Sequence, residues 1–148
     1  MFSVFKYFRN SKFQSKTKKF LVVGLGNIGE KYENTRHNIG FDIVDQLAIK
    51  LNSTLSSAKY GEVLKTKYAG KQIILLKPNT FMNLSGKAIC YWMKKEKIKL
   101  QNLLVVTDDI NLPTGKLRLK KRGSDGGHNG LKNIQELLGT QDYARLRI

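Results

Sequence analysis

The stretch that most constrains the fold of this chain is residues 21–41, which read LVVGLGNIGEKYENTRHNIGF. Its apolar start, residues 20–23, predicts a buried strand. A turn with three glycines follows, then a polar stretch, and then apolar residues at helical spacing over residues 39–51. This order places His37 beyond the carboxyl end of a strand, where open α/β sheets bind their ligands.

The remaining pattern is typical of an α/β domain with a parallel or mixed sheet. Two runs separated by Ala-Gly-Lys predict a β-hairpin, and a strongly apolar run predicts a central strand. A run that alternates Lys or Arg with Leu predicts a strand with one basic face. In chain order we expect a hairpin at 61–68 and 72–77, a helix at 83–97, strands at 103–107 and 116–120, a loop at 122–130, a helix continuing to 138 and a strand from 143.

Composition limits the classes of function. At 148 residues the chain is long enough for one domain. Its 27 Lys and Arg against 11 Asp and Glu give a net charge of +16, which favours nucleic acid or an anionic surface as partner. A lysine-rich genome is the alternative explanation. No apolar run approaches the roughly 20 residues of a membrane span. The single Cys90, in a helical run, excludes an internal disulfide and reads as a small buried hydrophobe rather than a nucleophile.

The amino-terminal segment differs from the rest of the chain, because residues 1–19 carry six basic residues and no acid. An organelle-targeting presequence, a disordered basic arm and an over-extended start all fit this composition. We therefore leave it out of the fold and expect a basic, disordered extension at residues 1–18 and a domain at residues 19–148.

The glycines of the first turn match GxGxxG, the fingerprint of dinucleotide-binding folds. That fingerprint needs a helix that begins at the glycines, so that its N-terminus faces the pyrophosphate. Here the polar residues 30–38 intervene, and the acid at the expected spacing, Asp45, falls inside a helical pattern. The context therefore disfavours a dinucleotide site.

Polar residues follow three of the predicted strands: Asn27 and His37 after the first, residues 79–83 after the hairpin, and Asp108 with Asp109 after the central strand. A parallel or mixed sheet brings such strand ends to one rim. A histidine there can take a proton from water, an aspartate can hold its other nitrogen, and asparagines can donate to an oxyanion. No serine or cysteine is placed as a nucleophile, which favours direct attack by water. For His37 alone, a structural polar contact remains an equal alternative.

A metal site is not expected, because two distant histidines without a cysteine cluster make a poor set of zinc ligands.

Four segments resemble the bacterial-type peptidyl-tRNA hydrolase family, in the order in which the family has them: GLGNIGEKYENTRHNIGF, KPNTFMNLSGKA, TDDINLPTGKLRLKKRGSDGGHNGLKNI and RLRI. The resemblance spans residues 19–148. It implies an α/β domain with a mixed, mostly parallel twisted sheet flanked by helices. It also implies a cytoplasmic monomer without cofactor, a carboxylic ester hydrolase that cleaves peptidyl-tRNA between the peptide and the 3′ ribose and so returns tRNA to translation.

The resemblance also assigns roles to individual residues. His37 corresponds to the catalytic base and Asp108 to the acid that orients it. The residues matching the family's substrate contacts are Asn27, Asn83 and Asn129 for the 3′ end and the water, Tyr32 and Met82 for the cleft wall, and His128 at the gate beside it. Lys120 and Arg147 match the basic pair that grips the 5′ phosphate of the tRNA.

Two expectations follow from departures from the family. The family continues beyond residue 148 with helices that cover the sheet, so we expect a C-terminally truncated domain, either a fragment or a short homologue. An open sheet edge at residues 143–148 and an uncovered apolar face would then lower solubility. The alternative function is a non-catalytic relative that binds tRNA or the ribosome, although a pure binder has no reason to keep His37 and Asp108.

Overall fold

The computed structural model of this protein describes residues 18–33 and 35–148. The predicted basic extension, residues 1–18, lies outside the described residues except for Lys18. The described part contains seven strands: β1 (Lys19–Gly24), β2 (Ser56–Ala58), β3 (Gly61–Tyr68), β4 (Lys71–Pro78), β5 (Leu103–Thr107), β6 (Arg118–Lys120) and β7 (Ala144–Arg147). Its α-helices are α1 (Ile39–Lys50), α2 (Ser85–Glu96) and α3 (Asn129–Leu138).

The strands form one sheet in the order β2-β3-β4-β1-β5-β7-β6. The four central strands, β4, β1, β5 and β7, run parallel, whereas β3 and β6 run antiparallel to their neighbours. Helix α1 covers one face of this sheet, and α2 and α3 cover the other. The expected α/β fold with a mixed, mostly parallel sheet between helices is confirmed.

Strand β1 shows why the central strands read as continuous apolar runs. Phe20 and Val22 pack into the core under α1, whereas Leu21 and Val23 pack into the core under α2 and α3. All four side chains are fully buried. A strand covered on both faces has no solvent side and therefore no polar alternation.

Gly24, the last residue of β1, and Gly40, in the first turn of α1, allow these two elements to pack closely. A Cβ on Gly24 would lie 2.1 Å from the Gly40 carbonyl oxygen, and a Cβ on Gly40 would lie 2.4 Å from the Leu25 carbonyl oxygen. This pair therefore lets the first turn of α1 press directly against the end of β1. The close approach fixes the position of the residues just before α1, which include His37.

We expect Gly40→Ala to lower the free energy of unfolding by about 1–3 kcal/mol, the usual cost of overpacking. Alanine has the better helix propensity, which by itself would stabilise the protein by up to about 1 kcal/mol. This gain is smaller than the cost of overpacking, because the new methyl group meets backbone atoms that cannot rotate away. Urea denaturation measures the change. Gln46→Ala, an exposed position of the same helix, is the control, and equal stability of the two variants would contradict the close-packing role.

Several predicted boundaries differ from the structure. The strand predicted at 116–120 is shorter, because Lys116 N donates to Pro113 O at 3.0 Å and closes a turn that delays β6 to Arg118. Strand β2 was not predicted, since its Ser-Ser-Ala sequence is exposed and carries no apolar pattern. The predicted open edge at 143–148 is wrong: β7 pairs with both β5 and β6, which leaves β2 and β6 at the edges of the described sheet.

None of the helices in the described part of the chain is both long and apolar enough to cross a membrane.

Candidate active site

A crevice of about 410 Å³ lies beyond the carboxyl ends of β1 and β5. Parallel pairing of these two strands brings their ends together, as the alternation of apolar runs and polar turns predicted. Eight of the ten residues to which the family resemblance assigned a role line this crevice: Asn27, Tyr32, His37, Met82, Asp108, His128, Asn129 and Arg147.

Asp108 is the centre of the site. It follows β5 directly, is only 4% exposed, and lies between two histidines. Its Oδ2 is 3.1 Å from His37 Nδ1, and its Oδ1 is 2.9 Å from His128 Nε2. Each carboxylate oxygen therefore has its own imidazole, so the carboxylate is held in one orientation.

His128 is fixed by its contacts in one tautomer. It caps the N-terminus of α3, where its Nδ1 accepts from Gly130 N at 3.1 Å and from Leu131 N at 3.3 Å. A ring nitrogen that accepts hydrogen bonds carries no proton, so the proton of the neutral ring is on Nε2. That N–H points at Asp108 Oδ1 and at Thr107 Oγ1, which is 2.7 Å away. His128 therefore acts as a hydrogen-bond donor to the Asp108 carboxylate.

The pKa of Asp108 is lowered overall from its ordinary value. Burial by itself raises that pKa, but the hydrogen bond from His128 and the electrostatic interactions with the two imidazole rings outweigh burial. Asp108 is thus a carboxylate at neutral pH. Because its pKa is lower in the folded state than in the unfolded one, its stabilising contribution is present above the ordinary pKa and is lost as pH falls through the lowered value.

His37 lies in a 3₁₀ turn, Arg36–Asn38, immediately before α1, and its side chain is 56% exposed. With Nδ1 directed at Asp108, the hydrogen bond to the carboxylate places the proton on Nδ1 and leaves Nε2 as the basic nitrogen. His37 can therefore act as a base through Nε2, while its Nδ1 is held by the buried carboxylate of Asp108. The imidazole lies on a wall of a crevice that is open to water.

Neighbours of His37 that the sequence analysis did not single out hold this turn in place. Asn38, which is 5% exposed, accepts a hydrogen bond from Asn27 N on its Oδ1 at 2.7 Å. Arg36 Nη2 donates to Leu112 O at 2.6 Å and also to Asp109 O. The turn is thereby bound to the loop after β1 and to the loop after β5. A polar residue on each side of a candidate base was the signal available in the sequence.

Two residues with assigned roles do not line the crevice. Asn83 is exposed and lies beside the lining residue Met82, in the 3₁₀ turn Met82–Leu84. Lys120 is exposed on the edge strand β6. Asn129 is also exposed, but unlike these two residues it lines the crevice, at the start of α3.

Strands β6 and β7 are neighbours, as a phosphate grip by Lys120 and Arg147 requires. In their antiparallel register Lys120 faces Arg145 and Arg118 faces Arg147, so these four cations share one face and Lys120 is diagonal to Arg147. Arg147 also has internal partners: Nη1 is 3.5 Å from Asp109 Oδ2, and Nη2 donates to Ser124 O at 2.7 Å. Lys120 is therefore the more accessible member of the pair.

The chain is similar to known proteins over most of its length. A family profile described as "Peptidyl-tRNA hydrolase" matches residues 21–148. The chain is 60% identical over 129 residues to a peptidyl-tRNA hydrolase of Phocaeicola vulgatus, an alignment that covers 87% of this chain and 69% of the relative. It is 58% identical over 129 residues to a peptidyl-tRNA hydrolase of Bacteroides fragilis, with the same coverage of both chains.

Solved structures give the same result. The structure of peptidyl-tRNA hydrolase from Acinetobacter baumannii superposes with a TM-score of 0.84 and 37% identity, covering 92% of this chain and 70% of that one. A peptidyl-tRNA hydrolase in complex with N-propanol superposes with a TM-score of 0.83 and 39% identity, covering 87% and 66%. The chain thus spans about two thirds of the length of these proteins.

Proposed function

Because the chain belongs to the peptidyl-tRNA hydrolase family, we propose that His37 and Asp108 hydrolyse the ester between the peptide and the 3′ ribose of peptidyl-tRNA. The protein is an ester hydrolase whose reaction returns free tRNA to translation. The observation that carries the assignment of the two residues is the 3.1 Å contact between His37 Nδ1 and the buried Asp108 Oδ2. A non-catalytic relative that only binds RNA would gain nothing from this pair.

The proposed reaction begins with a water molecule beside His37. Nε2 takes a proton from this water as its oxygen attacks the ester carbonyl carbon. The Asp108 carboxylate stabilises the imidazolium that forms. The tetrahedral intermediate then collapses, the bond between carbon and the 3′ oxygen breaks, and His37 returns its proton to that oxygen. The products are the free peptide acid, which ionises, and tRNA with a 3′ hydroxyl.

Binding of the substrate is proposed to involve the polar and apolar walls of the crevice. The amides of Asn27 and Asn129 lie on the wall and can donate to the oxyanion or to the 3′ ribose. Tyr32 and Met82 offer apolar surface to the terminal base and the peptide. Asn83 is proposed to contact the substrate from outside the crevice, beside Met82. His128 contributes through Asp108, whose orientation it fixes.

The proposed grip on the 5′ phosphate gives a prediction about binding. We expect Lys120→Ala to weaken tRNA binding and to reduce the slope of log affinity against log salt by about one, because one phosphate contact is lost. Arg147→Ala should do the same, and cleavage of a minimal substrate without the tRNA body should hardly change in Lys120→Ala. Filter binding at several salt concentrations measures the effect.

The control for this prediction is the double variant of Lys94 and Lys95 to Ala, two exposed positions on α2. Removing the 5′ phosphate from the tRNA should mimic Lys120→Ala and add little to it. If the α2 control weakened binding as much, the positive charge would act diffusely and the phosphate site would be wrong.

The proposal includes a monomer acting in the cytoplasm, as the resemblance to the family implies. Light scattering on the eluting protein tests the first part, and a dimer at working concentration would contradict it. Fractionation of cells that express the full chain tests the second.

A cleavage assay tests the proposed function itself. The wild-type chain should convert purified peptidyl-tRNA to free tRNA and peptide without added metal or cofactor. Binding of tRNA without any cleavage would instead support the RNA-binding alternative.

A further inference from the structure

Arg145 is an unusual residue for a buried position in a sheet. It lies on β7, between β5 and β6, and is fully buried. Its ordinary counterion would be a carboxylate, yet over residues 18–33 and 35–148 no Asp or Glu forms an ion pair with it. A buried charge without a counterion is costly unless other groups solvate it.

Backbone carbonyls and an aromatic ring replace the carboxylate. Nη1 of Arg145 donates to Gly123 O at 2.8 Å and Nη2 donates to Gln141 O at 2.6 Å. Longer contacts reach Ser124 O at 3.5 Å and Tyr143 O at 3.3 Å. The guanidinium carbon also lies 4.0 Å from the centre of the Tyr143 ring. The two guanidinium nitrogens therefore join the 123–124 backbone to the backbone before β7.

The 123–124 backbone begins the loop that ends at His128. Within this loop Asp125 Oδ1 accepts from Gly127 N at 2.8 Å, and Asp125 O accepts from His128 N at 3.0 Å. Gly126 and Gly127 have φ values of +59° and +84°, in the region that favours glycine. These two hydrogen bonds fix the turn at residues 125–128, so the placement of the whole loop depends on what anchors its start and its end.

The end of the loop is anchored by the contacts of His128 with α3 and with Asp108. The start is anchored by Arg145, with a second hydrogen bond from Arg147 to Ser124 O. We propose that Arg145 is a positioning residue that anchors the 123–128 loop so that His128 Nε2 donates to Asp108. The expected effect of Arg145 on turnover rests on the proposed function. The expected effect of Arg145 on the contact between His128 and Asp108 is independent of that function.

The competing explanation is that Arg145 only stabilises the fold. A purely structural role would lower the free energy of unfolding but leave the His128 contact intact in the protein that remains folded. The two explanations therefore differ in a local signal of His128, measured well below the unfolding temperature.

The experiment uses nitrogen-15 NMR of the two histidine rings in the wild-type chain and in Arg145→Lys and Arg145→Met. Lysine keeps the charge, but one ammonium group cannot span both backbone segments as the planar guanidinium does. We expect wild-type His128 to show a protonated, slowly exchanging Nε2–H and an unprotonated Nδ1. In both variants the Nε2–H of His128 should exchange at least tenfold faster, and if Arg145→Met does not fold, Arg145→Lys decides.

Arg122→Met is the matched control. Arg122 is next to Gly123 and its partner Asp142 is next to Gln141, but both side chains are exposed, and an exposed ion pair at 3.6 Å contributes little. The control should leave the His128 signal unchanged. A His128 signal unchanged in folded Arg145→Lys would overturn the positioning role, whatever the stability of that variant.

Kinetics provide the second measurement. On a minimal substrate without the tRNA body, kcat of Arg145→Lys should fall about 10–100-fold with little change in KM, because small misplacement of catalytic groups is costly. An unchanged kcat beside a displaced His128 would show that the loop position is irrelevant to the reaction and would overturn the catalytic part. Inactive wild-type protein with the expected His128 signal would reject the proposed function but leave the anchoring role in place.

Discussion

His37→Ala is expected to lose about 10²–10⁴-fold in turnover of peptidyl-tRNA, the contribution of a positioned general base. The variant removes the imidazole on the crevice wall whose Nδ1 is 3.1 Å from the buried carboxylate of Asp108. Binding of tRNA should survive, because Lys120 and the other cations of β6 and β7 are unchanged. Single-turnover cleavage and equilibrium binding measure the two effects separately.

The stability of His37→Ala should be close to that of the wild type, since the side chain is more than half exposed. Gln46→Ala, exposed on the helix that follows, serves as the control for turnover. Near wild-type cleavage by His37→Ala would remove this histidine from the mechanism.

Asp108→Asn is expected to lower turnover by about 10²–10⁴-fold while changing KM much less. Asparagine keeps the shape of the side chain, but it is neutral and offers only one acceptor to the two histidines that now share the carboxylate. His37 would lose both the preference for the correct tautomer and the charge that stabilises its imidazolium. Steady-state kinetics on peptidyl-tRNA measure kcat and KM separately.

Asp109→Asn provides the comparison for this prediction. Asp109 lines the same crevice, but its carboxylate accepts from Asn111 N at 2.9 Å and lies near Arg147, not near either histidine. Its variant should affect tRNA binding more than the chemical step. A harmless Asp108→Asn beside a damaging Asp109→Asn would mean that the wrong carboxylate has been assigned.

The order of apolar runs was enough to predict the core of the sheet. Strands such as β1 and β5 are buried on both faces, so their sequences are continuous apolar runs that few other structures allow. The meeting of Asn27, His37 and Asp108 followed from this, because parallel strands place their carboxyl ends on one rim. Edge strands were harder to predict: β2 has no apolar residue other than Ala58, and two of the five residues of the predicted strand at 116–120 lie outside β6.

The contacts between loops could not be predicted from the pattern. His128 was assigned only a place at the gate, yet in the structure it donates to Asp108, 20 positions earlier in the chain. That contact depends on the conformation of the 123–128 loop, which glycine-rich sequence alone does not specify. The same holds for Arg145 and Arg147, whose hydrogen-bond partners are backbone carbonyls of this loop, Gly123 O and Ser124 O.

The central claim is that His37 and Asp108 act as one unit in the hydrolysis of peptidyl-tRNA. The most direct test is a cleavage assay on the wild type, His37→Ala, Asp108→Asn and the double variant, under single-turnover conditions with the same substrate. The account predicts cleavage by the wild type and a double variant about as slow as His37→Ala alone, because residues that act as a unit have non-additive effects. An inactive wild type, or two losses that multiply in the double variant, would contradict it.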